Sequence, residues 1–232
     1  MTNLLNDVRG CLIVAGCVVC CLTLMIFFIK NEFQKKYIAA VILKGLASLC
    51  FVLLGYFAAR EKTQFSNLVF IGLVLGMIAD IMLNLRFVFT KKGMLVFLIG
   101  ILIFLSGHIM YLTALLPMCP NTLLALIIGA VLTALILIWI FKQIEAKMAF
   151  KIFGVFYIGA IVIMNVVACS VLISQFSTAN LIYVIGAISF LVSDIVLILN
   201  TFGKESKPAL RVTNLSLYYL GQLLIAISLI FR

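Results

Sequence analysis

Residues 122–141 read TLLALIIGAVLTALILIWIF, twenty residues without one charged side chain. An α-helix needs about 20 apolar residues to cross the hydrocarbon core of a bilayer, so this stretch predicts a transmembrane helix. Strands of a transmembrane β-barrel instead alternate polar and apolar residues, and this stretch does not alternate. The pattern therefore excludes a barrel and indicates an all-α membrane protein.

The composition of the whole chain agrees with this interpretation. Of its 232 residues 66% are hydrophobic and 10% are charged, whereas soluble domains carry about 25% charged residues. These values exclude a soluble enzyme, a disordered chain and a nucleic-acid-binding domain. The sequence predicts one transmembrane domain over residues 1–232, with eight transmembrane helices. The predicted spans lie at about 8–29, 37–59, 67–89, 94–116, 122–141, 150–173, 180–202 and 210–231.

The positions of the basic residues predict the orientation of the chain. The gaps after spans one, three, five and seven hold twelve Lys and Arg residues, and the opposite side holds four, namely Arg9, Arg60, Lys62 and Arg232. Cytoplasmic loops of membrane proteins are enriched in Lys and Arg. We therefore expect the odd-numbered gaps in the cytoplasm and both termini outside, and we attribute the net charge of +10 to topology rather than to a nucleic-acid partner.

Two segments of the chain resemble each other. Residues 72–85 and 186–199 both read Gly, seven residues, then Asp-Ile-x-Leu-x-Leu, with Asp194 following Asp80 by 114 residues. The same offset places Gly107-His108 on Gly221-Gln222 without a gap. This indicates a four-plus-four internal repeat with parallel halves, because four spans is an even number. The alternative is that helices rich in Leu and Ile resemble each other by chance.

Asp80 and Asp194 are the acidic residues that lie deep inside predicted spans. An Asp near the centre of a transmembrane helix costs about 2.5–3.5 kcal/mol on insertion scales, so such residues usually face a cavity and mark function. Both lie about fourteen residues from the outer end of their span, which is about 20 Å deep. Equal depth predicts that they meet, with one acid protonated and one ionised, as a general acid and base. The structural alternative is that each Asp only joins helices or pairs with Lys44.

Other polar residues lie at similar depth and are candidates for supporting or substrate-binding roles. Lys44 is interpreted as a counter-charge for one of the acids, as a phosphate ligand, or as a side chain that reaches the interface. Hydrolytic zinc sites usually contain two or three histidines, so a single histidine argues against a zinc site. No serine-hydrolase, phosphate-loop or metalloprotease motif is present. The remaining candidates are His108, Tyr111, Asn165, Tyr218 and Gln222, with Ser193 and Asn84 weaker.

The ordered set of these residues resembles the YhhN-type lysoplasmalogenase family. The resemblance rests on Lys44, on Gly72–Leu83 with its Asp, on Gly100–Tyr111 with His-x-x-Tyr, on Gly186–Leu197 with Ser-Asp, and on Tyr218–Leu223 with Tyr-Tyr-x-x-Gln-Leu. It covers spans two to eight. It implies an intramembrane hydrolase of lipid metabolism that cleaves the vinyl-ether bond of a lysophospholipid substrate, releasing a fatty aldehyde and a glycerophospho-base.

The residues suit that chemistry, because vinyl ethers resist base and react by protonation on carbon. Asp80 and Asp194 are expected to act as an acid and a carboxylate, in an order that the sequence leaves open, and no cofactor or metal is expected. His108, Tyr111 and Gln222 would bond to the acids or to water. Short loops and the absence of sorting signals favour a bacterial plasma membrane.

Other functions fit the same residues. Paired acids with Lys and His also serve proton-coupled transporters, in which internal repeats are common. A metal-dependent membrane lipid hydrolase would use Asp80, Asp194 and His108 as ligands. A lipid-binding protein without catalysis is the third alternative.

Overall fold

Eight long α-helices make up most of the chain that the computed structural model describes, residues 8–59 and 62–232. They are α1 (Val8–Phe33), α2 (Tyr37–Ala58), α3 (Gln64–Leu85), α4 (Gly93–Leu115), α5 (Thr122–Gln143), α6 (Met148–Ser174), α7 (Thr178–Phe202) and α8 (Pro208–Ser228). All eight carry an apolar stretch long enough to cross a membrane. This confirms the all-α class and the number of helices apolar enough to span. Asp7, Arg60 and Glu61 lie outside the described residues. Arg60 is one of the four basic residues predicted for the outer side.

Polar residues mark where several of these helices begin. Thr63, Asn121 and Ser177 cap α3, α5 and α7, and each accepts a hydrogen bond from the backbone N–H three residues on, at 3.1, 3.0 and 3.1 Å. Side-chain oxygens at this position satisfy one of the N–H groups that a helix start leaves without a partner. Lys35 has a φ of 59° in the turn between α1 and α2, a left-handed conformation that ends α1.

The first of two compact units contains α1, α2, α3, α4 as far as Met110, and the C-terminal residues from Ala226. Two glycines bring α3 and α4 together, since a Cβ built on Gly107 would lie 3.2 Å from the carbonyl oxygen of Gly72. Small residues at a helix contact allow this approach in membrane proteins, where van der Waals packing drives association.

The second unit runs from Tyr111 to Ile225 and contains the end of α4, all of α5, α6 and α7, and most of α8. Here α7 and α8 approach through Gly186 and Gly221. A Cβ built on Gly221 would lie 2.9 Å from the carbonyl oxygen of Gly186, closer than real Cβ atoms come to a backbone oxygen. The prediction of a single transmembrane domain stays a prediction.

The distribution of side chains is that of a protein surrounded by lipid. Large apolar residues are exposed along the helices, as Ile127, Leu135 and Trp139 are on α5. By contrast, the ionisable residues Lys44, Asp80 and Asp194 are 4%, 2% and 1% exposed. Charges within transmembrane helices face the protein interior because burial against lipid is costly. We therefore treat the chain as an integral membrane protein.

Candidate functional site

The first unit holds a buried ion pair between α2 and α3. Lys44 Nζ lies 3.0 Å from Asp80 Oδ1, and Ser48 Oγ donates a hydrogen bond of 2.6 Å to Asp80 Oδ2. Lys44 and Ser48 are one turn apart on α2, so both reach the same carboxylate. The pair identifies one of the predicted roles of Lys44, that of counter-charge for an acid.

A second contact of Lys44 extends this cluster toward the end of α1. Its Nζ donates to Asn84 Oδ1 at 3.4 Å, and Asn84 Nδ2 donates to Glu32 Oε2 at 3.3 Å. The amide is oriented by charge, with its oxygen toward the ammonium and its nitrogen toward the carboxylate. Asn84 was among the candidates from the sequence, whereas Ser48 was missed and could have been found by its i,i+4 spacing from Lys44. Glu32 lies in the last turn of α1, among charges that indicate only topology.

In the second unit, Asp194 accepts a hydrogen bond from a tyrosine that the sequence analysis missed. Tyr157 Oη donates to Asp194 Oδ2 at 2.7 Å, joining α6 to α7. Both side chains are buried. Nothing in the sequence marks Tyr157 as a partner, because the contact joins helices whose relative rotation is a tertiary property.

Beside Asp194, the start of α8 is tied to α7 through three hydrogen bonds. Ser193 Oγ donates to the Asn214 carbonyl at 2.9 Å, and Asn214 Nδ2 lies 3.0 Å from Ser193 O and 2.8 Å from Ser193 Oγ. Arg211 Nη1 then donates to Asn214 Oδ1 at 3.4 Å. A basic side chain is thus connected through Asn214 to Ser193, the neighbour of the second acid.

The structure brings together three of the predicted supporting residues. Tyr111 Oη donates to Gln222 Oε1 at 2.8 Å, and Gln222 Nε2 lies 3.5 Å from Tyr218 Oη. All three side chains are buried. They form a polar group between the end of α4 and α8 that contains both donors and acceptors.

His108 and Asn165, also predicted as site residues, each bond to their own helix. His108 Nδ1 lies 2.9 Å from the Phe104 carbonyl, and Asn165 Nδ2 donates to the Ile161 carbonyl at 2.9 Å. A carbonyl only accepts, so His108 Nδ1 carries a proton and donates to it. The Asn165 Oδ1 atom is buried and has no hydrogen-bond partner among the described residues, so it is a candidate acceptor for a water or a substrate hydroxyl.

Across the ranges 8–59 and 62–232, no group of three or more His, Cys, Asp or Glu side chains is placed to hold a metal ion. Asp80 and Asp194 belong to different units, and their predicted pairing stays a prediction.

A model of the YhhN family matches residues 39–229 of this chain. The chain belongs to the YhhN family. No curated protein and no solved structure matches it. The YhhN region contains Lys44, both acids, Tyr157 and Arg211, whereas Glu32 lies before it. The ion pair and the Tyr157–Asp194 contact are therefore inside the part of the chain that the YhhN family shares.

Proposed function

We propose that this YhhN-family protein hydrolyses the vinyl-ether bond of lysoplasmalogen-type lysophospholipids within the membrane. The observation that carries the proposal is the pair of buried acids with chemically different partners, an ammonium at Asp80 and a phenol at Asp194. Family membership over residues 39–229 supports a hydrolase. A membrane-embedded site also suits a substrate whose chain lies in the bilayer.

The reaction adds water across an enol ether, so that R–CH=CH–O–R′ and H₂O give R–CH₂–CHO and HO–R′. In the slow step an acid places a proton on the carbon next to the chain, leaving an oxocarbenium ion. Water then attacks the carbon that bears oxygen and loses a proton to a carboxylate. The resulting hemiacetal collapses to the aldehyde and the alcohol. The protein must therefore supply one protonated acid and one carboxylate.

We assign the carboxylate to Asp80 and the acid to Asp194. Lys44 at 3.0 Å and the Ser48 hydroxyl at 2.6 Å both stabilise an ionised Asp80. Its charge can then stabilise the oxocarbenium ion and accept a proton from water. The Tyr157 hydroxyl at 2.7 Å from Asp194 is uncharged and can either donate or accept. It thus accommodates Asp194 both with and without its proton.

In this scheme the other buried polar side chains bind and orient the water that is added. Tyr111, Gln222 and Tyr218 present hydroxyl and amide groups that can orient a water molecule. The scheme needs no metal or cofactor.

We also propose that the two acids descend from one by a four-helix duplication. The Gly72–Gly107 approach recurs as Gly186–Gly221, each member 114 residues later. In each unit the acid accepts a hydrogen bond from the preceding helix, α2 for Asp80 and α6 for Asp194. The two unit boundaries, after Met110 and after Ile225, are 115 residues apart.

The charge pattern supports an orientation with the odd-numbered gaps in the cytoplasm and both termini outside. We propose the plasma membrane of a bacterium as its location.

The test is aldehyde release from lysoplasmalogen by the purified protein in detergent. Asp80→Asn and Asp194→Asn, assayed separately, should each lower the rate at least about 100-fold, the smaller end of what a general acid or base contributes. Glu145→Gln is the matched control, since Glu145 is an exposed carboxylate in the loop after α5. A thermal unfolding transition for each variant separates loss of chemistry from loss of folding.

Full activity in either Asp variant would contradict the acid-and-carboxylate mechanism. Absence of aldehyde from folded wild-type protein would contradict the proposed substrate. Proton-dependent flux in liposomes without product formation would instead identify a transporter.

A further inference from the structure

One buried polar atom of the second unit takes no part in the proposed reaction. Asn165 is 6% exposed, and its Oδ1 atom has no hydrogen-bond partner among the residues that the structure describes. The amide cannot be reversed, because Nδ2 donates to the Ile161 carbonyl at 2.9 Å and an oxygen in its place would face another acceptor. A buried acceptor that stays unpaired costs free energy. Asn165 Oδ1 therefore suits a ligand that donates a hydrogen bond.

Asn165 faces the interior of the second unit. The opposite side of α6 packs on α5, since a Cβ built on Gly129 would lie 2.9 Å from the Ile163 side chain. Asn165 follows Ile163 by two residues, which places it about 200° around the helix. Tyr157, which bonds to Asp194, lies on the same half of α6 as Asn165, because eight residues make two turns and about 80°. Both side chains are buried on the side of α6 that faces away from α5.

The contact between Tyr157 and Asp194 sets the level of Asn165 relative to the proposed acid. Only three residues separate α6 from α7, so the two helices are antiparallel. Asn165 comes eight residues after Tyr157, and Gly186 comes eight residues before Asp194. Asn165 and Gly186 are therefore at about the same level, about 12 Å along the helices from Asp194.

The polar group of Tyr111 and Gln222 lies at this level too. Gly186 packs against Gly221 of α8, and Gln222 is the next residue of that helix. The hydrogen bond from Tyr111 to Gln222 is thus at about the level of Asn165. Asn165 is therefore two turns from the acid, at the level of the side chains that orient water in the proposed reaction.

A lysoplasmalogen has a hydrogen-bond donor at the matching distance. Its free hydroxyl, on carbon 2 of the glycerol, is the one donor between the vinyl ether and the phosphate. Five covalent bonds separate the hydroxyl oxygen from the vinyl carbon that receives the proton, roughly 6 Å when extended. A contact of about 3 Å at each end, to the acid and to the amide oxygen, gives a total of about 12 Å. This equals the distance along the helices between the levels of Asp194 and Asn165.

We propose that the free 2-hydroxyl of the lysolipid donates a hydrogen bond to Asn165 Oδ1, which places the vinyl ether at Asp194. This inference rests on the proposed function, because it assigns a specificity-determining residue to the same reaction. A lipid that is acylated at this hydroxyl has only acceptors there, and its ester would leave Asn165 Oδ1 buried and unpaired. Asn165 thus distinguishes a lysolipid from its acylated counterpart.

The experiment measures the binding of two lipids that differ only in this hydroxyl. The probes are a saturated 1-alkyl lysophosphoethanolamine, which has no vinyl ether to cleave, and its 2-deoxy analogue, in which hydrogen replaces the hydroxyl. Equilibrium dissociation constants are measured in detergent for the wild type, Asn165→Leu and Asn165→Asp. Leucine has the shape of asparagine without its acceptor. A protonated aspartic acid keeps an acceptor, since one oxygen donates to the Ile161 carbonyl and the other accepts.

Thr133→Val is the matched control. Thr133 is a buried residue of α5 whose hydroxyl donates to the Gly129 carbonyl, four residues back, at 2.7 Å. The Asn165 amide bonds to its own helix in the same way. Valine has the shape of threonine, so this variant removes a buried polar group from the helix beside α6 and leaves Asn165 unchanged. A thermal unfolding transition for each variant shows that it is folded.

The wild type and Thr133→Val should bind the hydroxylated lipid about 10-fold more tightly than the 2-deoxy analogue, the effect of one hydrogen bond. Asn165→Leu should bind the two lipids equally, because it loses affinity for the hydroxylated lipid alone. Asn165→Asp should keep the preference of the wild type.

Three results would overturn the proposal. They are a wild type that does not distinguish the two lipids, an Asn165→Leu variant that keeps the preference, and an equal loss of affinity for both lipids in that variant. The first would assign Asn165 Oδ1 to a bound water, and the third would give Asn165 a structural role only. Aldehyde release from lysoplasmalogen, measured on the same preparations, reports separately on the proposed function. A preference for the hydroxylated lipid without aldehyde release would contradict the proposed reaction and not the hydroxyl contact.

Discussion

At the scale of single residues, the Lys44–Asp80 pair joins α2 to α3 and is the proposed source of the catalytic carboxylate. Both side chains are almost fully buried, and the Ser48 hydroxyl donates a hydrogen bond to the second carboxylate oxygen. Removing one partner of a buried ion pair leaves an uncompensated charge, whereas replacing both is far less costly. We therefore expect single and double substitutions of this pair to change the free energy of unfolding by different amounts.

Lys44→Met should lower the free energy of unfolding by about 3–5 kcal/mol, because Asp80 then stays buried without its cation. Lys44→Met combined with Asp80→Asn should recover most of that loss, although it should be inactive. Unfolding of the purified proteins in detergent gives both values, and Lys142→Met, at an exposed lysine, is the control. A double variant as unstable as the sum of the two singles would show that the pair is not coupled.

Residue-scale contacts differ in how far the sequence could predict them. The polar set of Tyr111, Tyr218 and Gln222 was found because polar side chains inside apolar helices stand out. Tyr157 was missed because tyrosines are common in membrane helices and its partner lies 37 residues away. The hydrogen bonds between Ser193 and Asn214 join α7 to α8, so only the packing of the two helices reveals them.

At the scale of elements, close helix contacts depend on glycines. The α7–α8 contact requires hydrogen at Gly221, since an added Cβ would lie 2.9 Å from the Gly186 carbonyl oxygen. A Cβ added at Gly154 of α6 would meet nothing within 4 Å. Substituting alanine at each glycine therefore compares the cost of a steric clash between helices with the intrinsic preference of a helix for alanine.

Gly221→Ala should lower the stability of the protein by about 1–3 kcal/mol, because the two helices must separate. Gly154→Ala should be neutral or stabilising, since alanine is preferred over glycine within a helix by about 1 kcal/mol. Thermal midpoints in detergent measure both. Equal shifts in the two variants would contradict the close contact of α7 and α8.

At the scale of the whole molecule, the distribution of basic residues predicts how the chain crosses the membrane. Twelve Lys and Arg residues in the odd-numbered gaps, against four on the other side, is a strong asymmetry for loops this short. The eight helices are consistent with an even number of crossings. An even number predicts that both termini lie on the same side.

A reporter phosphatase that is active only outside the plasma membrane tests this topology. Fused after Arg232 it should be active, and fused after Lys142, in the last turn of α5, it should be inactive. A fluorescent protein that matures only in the cytoplasm, fused at the same two positions, should give the opposite pattern. Activity of the phosphatase after Lys142 alone would reverse the orientation.

The sequence by itself determined the eight helices, the family and the place of both acids inside apolar helices. It could do so because a membrane helix satisfies its backbone hydrogen bonds internally and reveals itself by a local run of apolar residues. Only the tertiary structure decided that Lys44 pairs with Asp80, that Tyr157 binds Asp194 and that Asn214 bonds to Ser193. Spacing along one helix identifies neighbours on that helix alone. Partners on other helices depend on rotations that the packing of the whole unit sets.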